Sequence, residues 1–204
     1  MDNIYIVDDE ATLRDSLNML LRAEDFNTEQ FATPAAFIEQ VNDLPEGLII
    51  LDLWMPGMSG IEVIQELNKR GITLPIICIT GHGDVSTAVK AIKLGAADFF
   101  EKPFDSTQLI ERIKHCLLEQ KNQRQLDVFT SRAKEIVSKL TPREGEVLQG
   151  LVQGLRNKQI AYNMGISIRT VELHRVHVMD KLEAKSLSDV LKIAIAADYE
   201  NIKL

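Results

Sequence analysis

Four consecutive aliphatic residues, Leu48 to Leu51, run straight into a lone carboxylate, Asp52, and the chain breaks just beyond at Met55-Pro56-Gly57. A short unbroken apolar run bounded by turn residues predicts a strand covered on both faces, as in a parallel sheet held between two helix layers. Ligands of such open α/β sheets gather at the carboxyl edge, which is where Asp52 would stand. Taken alone, a strand-end carboxylate is better read as a turn or helix cap. A second acidic edge changes that reading, because Ile4-Tyr5-Ile6-Val7-Asp8-Asp9-Glu10 is another apolar strand ending in acids.

Around these two strands the pattern repeats. Strands are predicted over 3–7, 27–31, 47–51, 75–80 and 97–101, the second of them short and polar like a sheet edge. The intervening helices carry their own punctuation. Leu13, Leu17, Leu20 and Leu21 form one stripe of the first, Thr33-Pro34 opens the second, and Ser59-Gly60-Ile61-Glu62 is a capping box for the third. Asp84 caps a fourth that Gly95 stops, and Asp105-Ser106-Thr107-Gln108 starts a fifth. The fold expected is a doubly wound, flavodoxin-like α/β unit: a five-stranded parallel sheet with helices on both faces. Asp8, Asp9, Asp52, Thr80 and Lys102 then all fall at or just past strand ends on one edge.

That cluster has a chemistry. Three neighbouring carboxylates raise one another's pKa unless a counter-charge is present, and Mg2+ suits carboxylate, carbonyl and water ligands. Lys102 adds a point charge able to hold a phosphate oxygen or pair with Asp52, Thr80 a hydroxyl, and Gly81-His82-Gly83 free backbone N–H groups. Together they would surround a phosphoryl group carried on a carboxylate.

These residues resemble the receiver domain of two-component response regulators: Asp8-Asp9 after the first strand, Asp52 before Met-Pro-Gly-x-Ser-Gly, Thr80-Gly81, and Lys102-Pro103-Phe104. The resemblance covers the first half of the chain. It implies that Asp52 accepts phosphate from a sensor histidine kinase, with Lys102 and Thr80 assisting. It also implies that Asp9, Asp52 and the backbone carbonyl of Trp54 hold Mg2+, with Asp8 acting through water. Thr80 and Phe99 would form the switch pair, although Phe99 reads equally well as a core aromatic. Trp54 and His82 sit where the family tunes phosphate lifetime. The competing view, a degenerate receiver that keeps the fold without being phosphorylated, is disfavoured because every required position is intact.

Charge divides the 204-residue chain. Residues 1–120 hold 9 Lys and Arg against 20 Asp and Glu, while residues 121–204 hold 14 against 10. An acidic module joined to a mildly basic one suggests that the second half approaches a polyanion. No apolar stretch nears the ~20 residues that span a bilayer, and the first strand starts too early for a leader. Cys78 and Cys116 are isolated, so reduced packing residues and a cytoplasmic setting are expected.

The expected organisation is a receiver over 1–120, a helical linker over 121–138 and a second domain over 139–204. Between 119 and 125 the chain is polar without Gly or Pro, so the fifth helix should continue outward. Leu126, Phe129, Ala133, Ile136 and Val137 then resume helical spacing, as a short coiled coil, a lid or the next helix; a break is placed near Thr130-Ser131. Beyond it, Leu140-Thr141-Pro142-Arg143-Glu144 is a complete helix start, and a helix capped by Asn157 leads through Gly165-Ile166-Ser167 into one capped by Ser167. This is helix-turn-helix spacing in an all-α, four-helix domain, a pattern that many small bundles share without binding DNA.

Arg169, Thr170, Glu172, His174, Arg175 and Lys181 would face outward, with Val171 and Val178 inward. Arg175 could contact guanine and Glu172 cytosine, while Lys158, Thr170, His174 and Lys181 suit phosphates; for Glu172 alone a solvated face is the better reading. The motifs Leu-Thr-Pro-Arg-Glu, Gly154-Leu155-x-Asn157-Lys158-x-Ile160-Ala161 and Ser167-x-x-Thr170-Val171-Glu172-x-His174 resemble the LuxR-type DNA-binding domain, and with the receiver ahead of it the chain resembles the FixJ-type regulators. Gly145 and Arg156 depart from the usual pattern, Arg156 towards an added phosphate contact. The last helix, near 186–197, serves the family for dimerisation, while its plain reading is core closure.

The expected function is therefore a phosphorylation-switched, Mg2+-dependent transcriptional regulator, not an enzyme beyond self-phosphorylation and autodephosphorylation at Asp52. Its partners would be a sensor kinase, double-stranded promoter DNA, a second copy on phosphorylation and RNA polymerase, with no membrane. Before phosphorylation, the acidic receiver would mask the basic helix. Afterwards, the face around Val85, Val89 and Phe100 would pair two receivers. A small-molecule phosphatase using the same chemistry is the enzyme alternative, weakened by the lack of any substrate-cap insertion. A protein-binding output in place of DNA is the other.

Overall fold

The computed structural model describes residues 1–81 and 85–199. The expected Asp84 cap and the His82 and Gly83 positions lie outside the described residues. Contacts divide the chain into two compact units, Met1–Lys121 and Asn122–Leu204. No helix among the described residues is long and apolar enough to cross a membrane.

The first unit alternates as its punctuation predicts: β1 (Asn3–Val7), α1 (Ala11–Ala23), β2 (Asn27–Phe31), α2 (Pro34–Gln40), β3 (Gly47–Asp52), α3 (Gly60–Lys69), β4 (Ile76–Thr80), α4 (Val85–Lys93), β5 (Asp98–Glu101) and the first half of α5 (Ser106–Ser138), which continues into the second unit. All four strand pairings are parallel, in the order β2-β1-β3-β4-β5. Strand order reverses between β1 and β3, the place where doubly wound sheets open a crevice beyond their carboxyl ends. Each strand residue of β3 and β4 is buried, as unbroken aliphatic runs require, whereas polar β2 lies at the edge. One face of the sheet (Tyr5, Val7, Ile49, Leu51, Cys78) packs on Phe37, Ile64 and Leu67. The other (Ile4, Ile6, Leu48, Ile50, Ile77, Ile79) packs on Leu17, Leu21, Leu109 and Ile113.

Local caps hold the loops at the carboxyl edge. The Thr33 hydroxyl accepts from the Ala36 N–H, and Ser59 and Glu62 cap each other reciprocally. Asp105 accepts from the Thr107 and Gln108 N–H groups at the start of α5. Gly60 has a tighter role. A Cβ there would lie 2.4 Å from the Asp52 carbonyl oxygen and 2.8 Å from Leu53 Cα, so α3 begins directly on the backbone of β3.

The expected break near Thr130-Ser131 is absent, because α5 runs unbroken from Ser106 to Ser138. The stretch contains no Gly or Pro, and a Thr-Ser pair costs only a few tenths of a kcal/mol each in a helix. Its last turns also gain burial, since Ala133 and Val137 belong to the second unit's core while Leu126 and Phe129 stay exposed.

The second unit adds α6 (Pro142–Val152), α7 (Asn157–Met164), α8 (Ile168–Lys181) and α9 (Leu187–Ala196). Val147, Leu148, Ile160, Val171, Val178 and Val190 are at its centre. Gly165 takes φ 65° in the turn between α7 and α8, a left-handed conformation that glycine adopts without a steric penalty. Gly150 lets α6 and α7 approach, since a Cβ there would sit 2.7 Å from Ile160 Cγ1. Val190, Ala194 and Ala197 fill the core, so the last helix does close it, and buried Tyr199 donates its hydroxyl to the Gly145 carbonyl. Asn157 is the first residue of α7 and not its cap. The Arg156 N–H is already satisfied by the Gln159 side chain, which moves the cap back by one residue.

Thr141 and Glu144 cap α6 as expected, but Glu144 does more. Its carboxylate is buried and takes the Lys181 ammonium at 2.7 Å together with the Thr141 N–H at 2.7 Å. Burial alone would raise its pKa; Lys181 and Thr141 outweigh that and hold it to about 2, against an ordinary 4.5. A folded value below the unfolded one means that the contribution is complete above pH 4.5 and is lost as pH falls towards 2.

Two measurements check these contacts. Gly60→Ala should destabilise the first unit by about 1–3 kcal/mol in denaturant unfolding, because backbone rather than a flexible side chain must yield. Lys181→Met should cost the second unit about 2 kcal/mol near neutral pH. That difference from wild type should shrink as the pH is lowered from 5 towards 2.

Candidate functional site

The parallel register brings four strand ends to one edge. Val7 pairs with Leu51, Asp52 with Ile79 and Thr80 with Glu101, so Asp8, Asp52, Thr80 and Lys102 follow side by side. Carboxylate oxygens of Asp8, Asp9 and Asp52 come within 4.8 Å of one another; Asp8 and Asp52 are buried and Asp9 is exposed. Lys102 Nζ lies 3.0 Å from Asp8 Oδ2 and 2.9 Å from Asp52 Oδ2. The remaining oxygen of each acid has its own donor: the Glu10 N–H reaches Asp8 Oδ1 at 2.7 Å, and the Trp54 N–H reaches Asp52 Oδ1 at 3.0 Å.

Electrostatics follow from this geometry. Burial pushes the Asp8 carboxyl up, reinforced by Asp52 and opposed by the Glu10 N–H and Lys102. Burial would lower the Lys102 ammonium, yet its bonds to Asp52 and Asp8 leave it raised, so it stays charged. Beneath the site, burial and then the Asp52 charge push the Cys78 thiol up to about 12, which makes it an inert packing group. Three acids around one ammonium leave an excess of negative charge and several free oxygen lone pairs. That donor set fits a hard divalent cation such as Mg2+.

Thr80 is buried at the end of β4, and its carbonyl accepts the Lys102 N–H at 2.8 Å. Phe99 is half-buried and pairs with Cys78, so it shares a sheet face with Thr80 one step away; it packs against the core beneath α2–α4. Trp54 is 54% exposed at the rim. Two contributors have roles that their sequence context does not reveal. Arg14 donates to the Asp8 carbonyl at 2.6 Å and so braces the acidic turn from α1. Gly60 presses α3 against the Asp52 backbone.

In the second unit the expected contact residues separate into two groups. Lys158, Arg169 and Glu172 are exposed on α7 and α8. Thr170 and His174 are half-buried, and the Thr170 hydroxyl is 2.8 Å from that of Ser167. Arg175 donates to the Asn157 side-chain oxygen, which joins α8 to the start of α7. Lys181, expected at phosphate, is bound to buried Glu144 and acts here as a structural cation.

Comparison with known proteins agrees with both halves. Residues 4–114 match the response regulator receiver domain, and residues 138–194 match the bacterial regulatory proteins of the luxR family. The transcriptional regulatory protein FixJ of Azorhizobium caulinodans is 42% identical over 95% of this chain and 92% of its own length. Among solved structures, the response regulator StyR aligns with a TM-score of 0.80 at 37% identity, covering 95% of this chain and 98% of that one. Full-length FixJ from B. japonicum aligns at 0.64 and 39% identity, covering 97% of each. The chain thus belongs to the response regulators, with a receiver domain followed by a LuxR-type DNA-binding domain, and is a phosphorylation-activated transcriptional regulator of a two-component system.

Proposed function

We propose that Asp52 is the phosphoacceptor, loaded by a sensor histidine kinase, and that loading drives two receivers together and brings the LuxR-type domains onto promoter DNA. The observation that carries this is the Lys102 ammonium held between Asp8 and Asp52 at the switch point of the sheet. An Asp52 oxygen forms the new bond to phosphorus as the phosphorus–nitrogen bond of the kinase phosphohistidine breaks, and the departing imidazole keeps the electron pair. Asp8, Asp9, Asp52 and the Trp54 carbonyl would hold Mg2+, as receiver domains do at such acidic clusters, and the ion would neutralise charge on the transferred group. Lys102 stabilises that charge from the β5 side and Thr80 supplies a hydroxyl from β4. Hydrolysis at the same carboxylate resets the protein, so autophosphorylation and autodephosphorylation are its only chemistry.

Phosphorylation shifts a conformational equilibrium only by what the new group contacts in one state and not the other. Thr80, at the end of the neighbouring strand, would supply such a contact, and Phe99, on the same sheet face, would be its relay. Support for pairing of receivers comes from Val89 and Ile92, both nearly half exposed on α4. On DNA, Lys158 and Arg169 are exposed cations of α7 and α8 suited to phosphates, and Asn157 with Arg175 fixes the two helices of the motif relative to each other. A cytoplasmic setting and contact with RNA polymerase complete the reading. Residues 1–120, 121–138 and 139–204 serve as receiver, helical connection and DNA-binding domain.

Two experiments test it. Asp52→Asn should abolish Mg2+-dependent labelling by acetyl phosphate and remove any phosphoryl-dependent gain in self-association; wild-type labelling of the variant would overturn the assignment. Lys158→Ala and Arg169→Ala should each weaken duplex binding and reduce the slope of log affinity against log salt by about 0.9 per lost phosphate contact.

A further inference from the structure

The face of α8 that points directly away from the second unit's core carries aliphatic as well as charged residues. Val171 and Val178 are fully buried. With 3.6 residues per turn, the row opposite them runs Arg169, Leu173, Val176, Asp180. Leu173 is 56% exposed and Val176 55%, and neither belongs to the unit's apolar core. Arg175 lies off this row, half-buried and tied to Asn157. An aliphatic pair thus stands on the outward row of the helix between Arg169 and Asp180, while the guanidinium expected to read guanine does not.

We infer that Leu173 and Val176 are specificity-determining residues that read the C5-methyl groups of thymines in the major groove. This rests on the DNA-binding reading above. The major-groove edge of each base offers donors and acceptors, and among the four bases only thymine adds a methyl. A leucine or valine side chain gains by covering that methyl. Against guanine, cytosine or adenine it covers donors and acceptors that it cannot satisfy, so it selects by penalty as well as by attraction. The spacing agrees: side chains three apart on a helix have Cβ atoms about 5–6 Å apart. With a rise of about 3.4 Å per base pair, that separation reaches methyls one or two steps apart. Arg169, one turn earlier on the same row, then bears on the neighbouring base edge or phosphate, and exposed Glu172 flanks the pair. A protein partner seated on this face would require apolar contact but no thymine, which separates the two occupants.

The test uses the full chain, treated with acetyl phosphate and Mg2+, to enrich duplexes from a random-core pool. Each enriched motif is then resynthesised with deoxyuridine replacing single thymidines, which removes the methyl and keeps the O4 acceptor. One or two thymines per half-site should prove sensitive, with wild-type affinity falling about three- to tenfold at each. Leu173→Ala and Val176→Ala should each bind thymine and uracil alike at one of the sensitive positions, while melting as wild type does. Motifs without fixed thymines, wild-type binding indifferent to uracil, or an unchanged thymine-to-uracil ratio in both variants would overturn the inference while leaving DNA binding intact. Failure to enrich or retain any duplex at low salt would instead remove the DNA-binding reading, and this one with it.

Discussion

A single ammonium permits two buried carboxylates to coexist at the mouth of this sheet. Asp8 and Asp52 leave adjacent strands at the point where strand order reverses, and Lys102 from β5 reaches back across β4 to lie about 3 Å from both. Without it, two desolvated negative charges would have to share one crevice, which is costly in a medium of low polarity. The compensation is partial, since exposed Asp9 adds a third charge. That residual imbalance is what suits the site to a cation. It also couples the state of Asp52 to strands on both sides, because Lys102 is bonded through its own N–H to the Thr80 carbonyl.

The first unit was largely legible in the chain itself. Unbroken aliphatic runs, each ended by a polar residue and followed by a cap, leave little freedom in strand placement, and parallel order follows from the helices between them. The acids, Thr80 and Lys102 could be placed because sheet topology carries strand ends to a common edge. What escaped were contacts that depend on tertiary proximity. Arg14 looks like any surface arginine of a first helix, and only the fold brings it to the Asp8 carbonyl. Gly60 looks like part of a capping motif, and only packing reveals that no larger residue fits.

The second unit was legible as helices and less so as a surface. Its caps and turn glycine fall where the residues imply, with Asn157 displaced by one position. The polar charges of α8 cannot be sorted by sequence into those that meet solvent and those that meet protein. Lys181 and Arg175 carry the right charge for DNA, yet each has a protein partner, Glu144 and Asn157. Outward aliphatics are equally hidden, because the usual inference takes leucine and valine to the interior. The continuity of α5 was missed for a related reason. A polar stretch has no periodicity to follow, and the helix persists there because nothing interrupts it while burial resumes at Ala133 and Val137.

Trp54 is the chain's sole tryptophan, and its backbone N–H donates to Asp52 Oδ1 while its ring stays about half open to water at the rim of the acidic crevice. The bond to the acid is thus made by the backbone, and the indole is carried two residues beyond it. Emission from this protein consequently arises from one indole at the rim of the acidic crevice, undiluted by other indoles and independent of any attached dye.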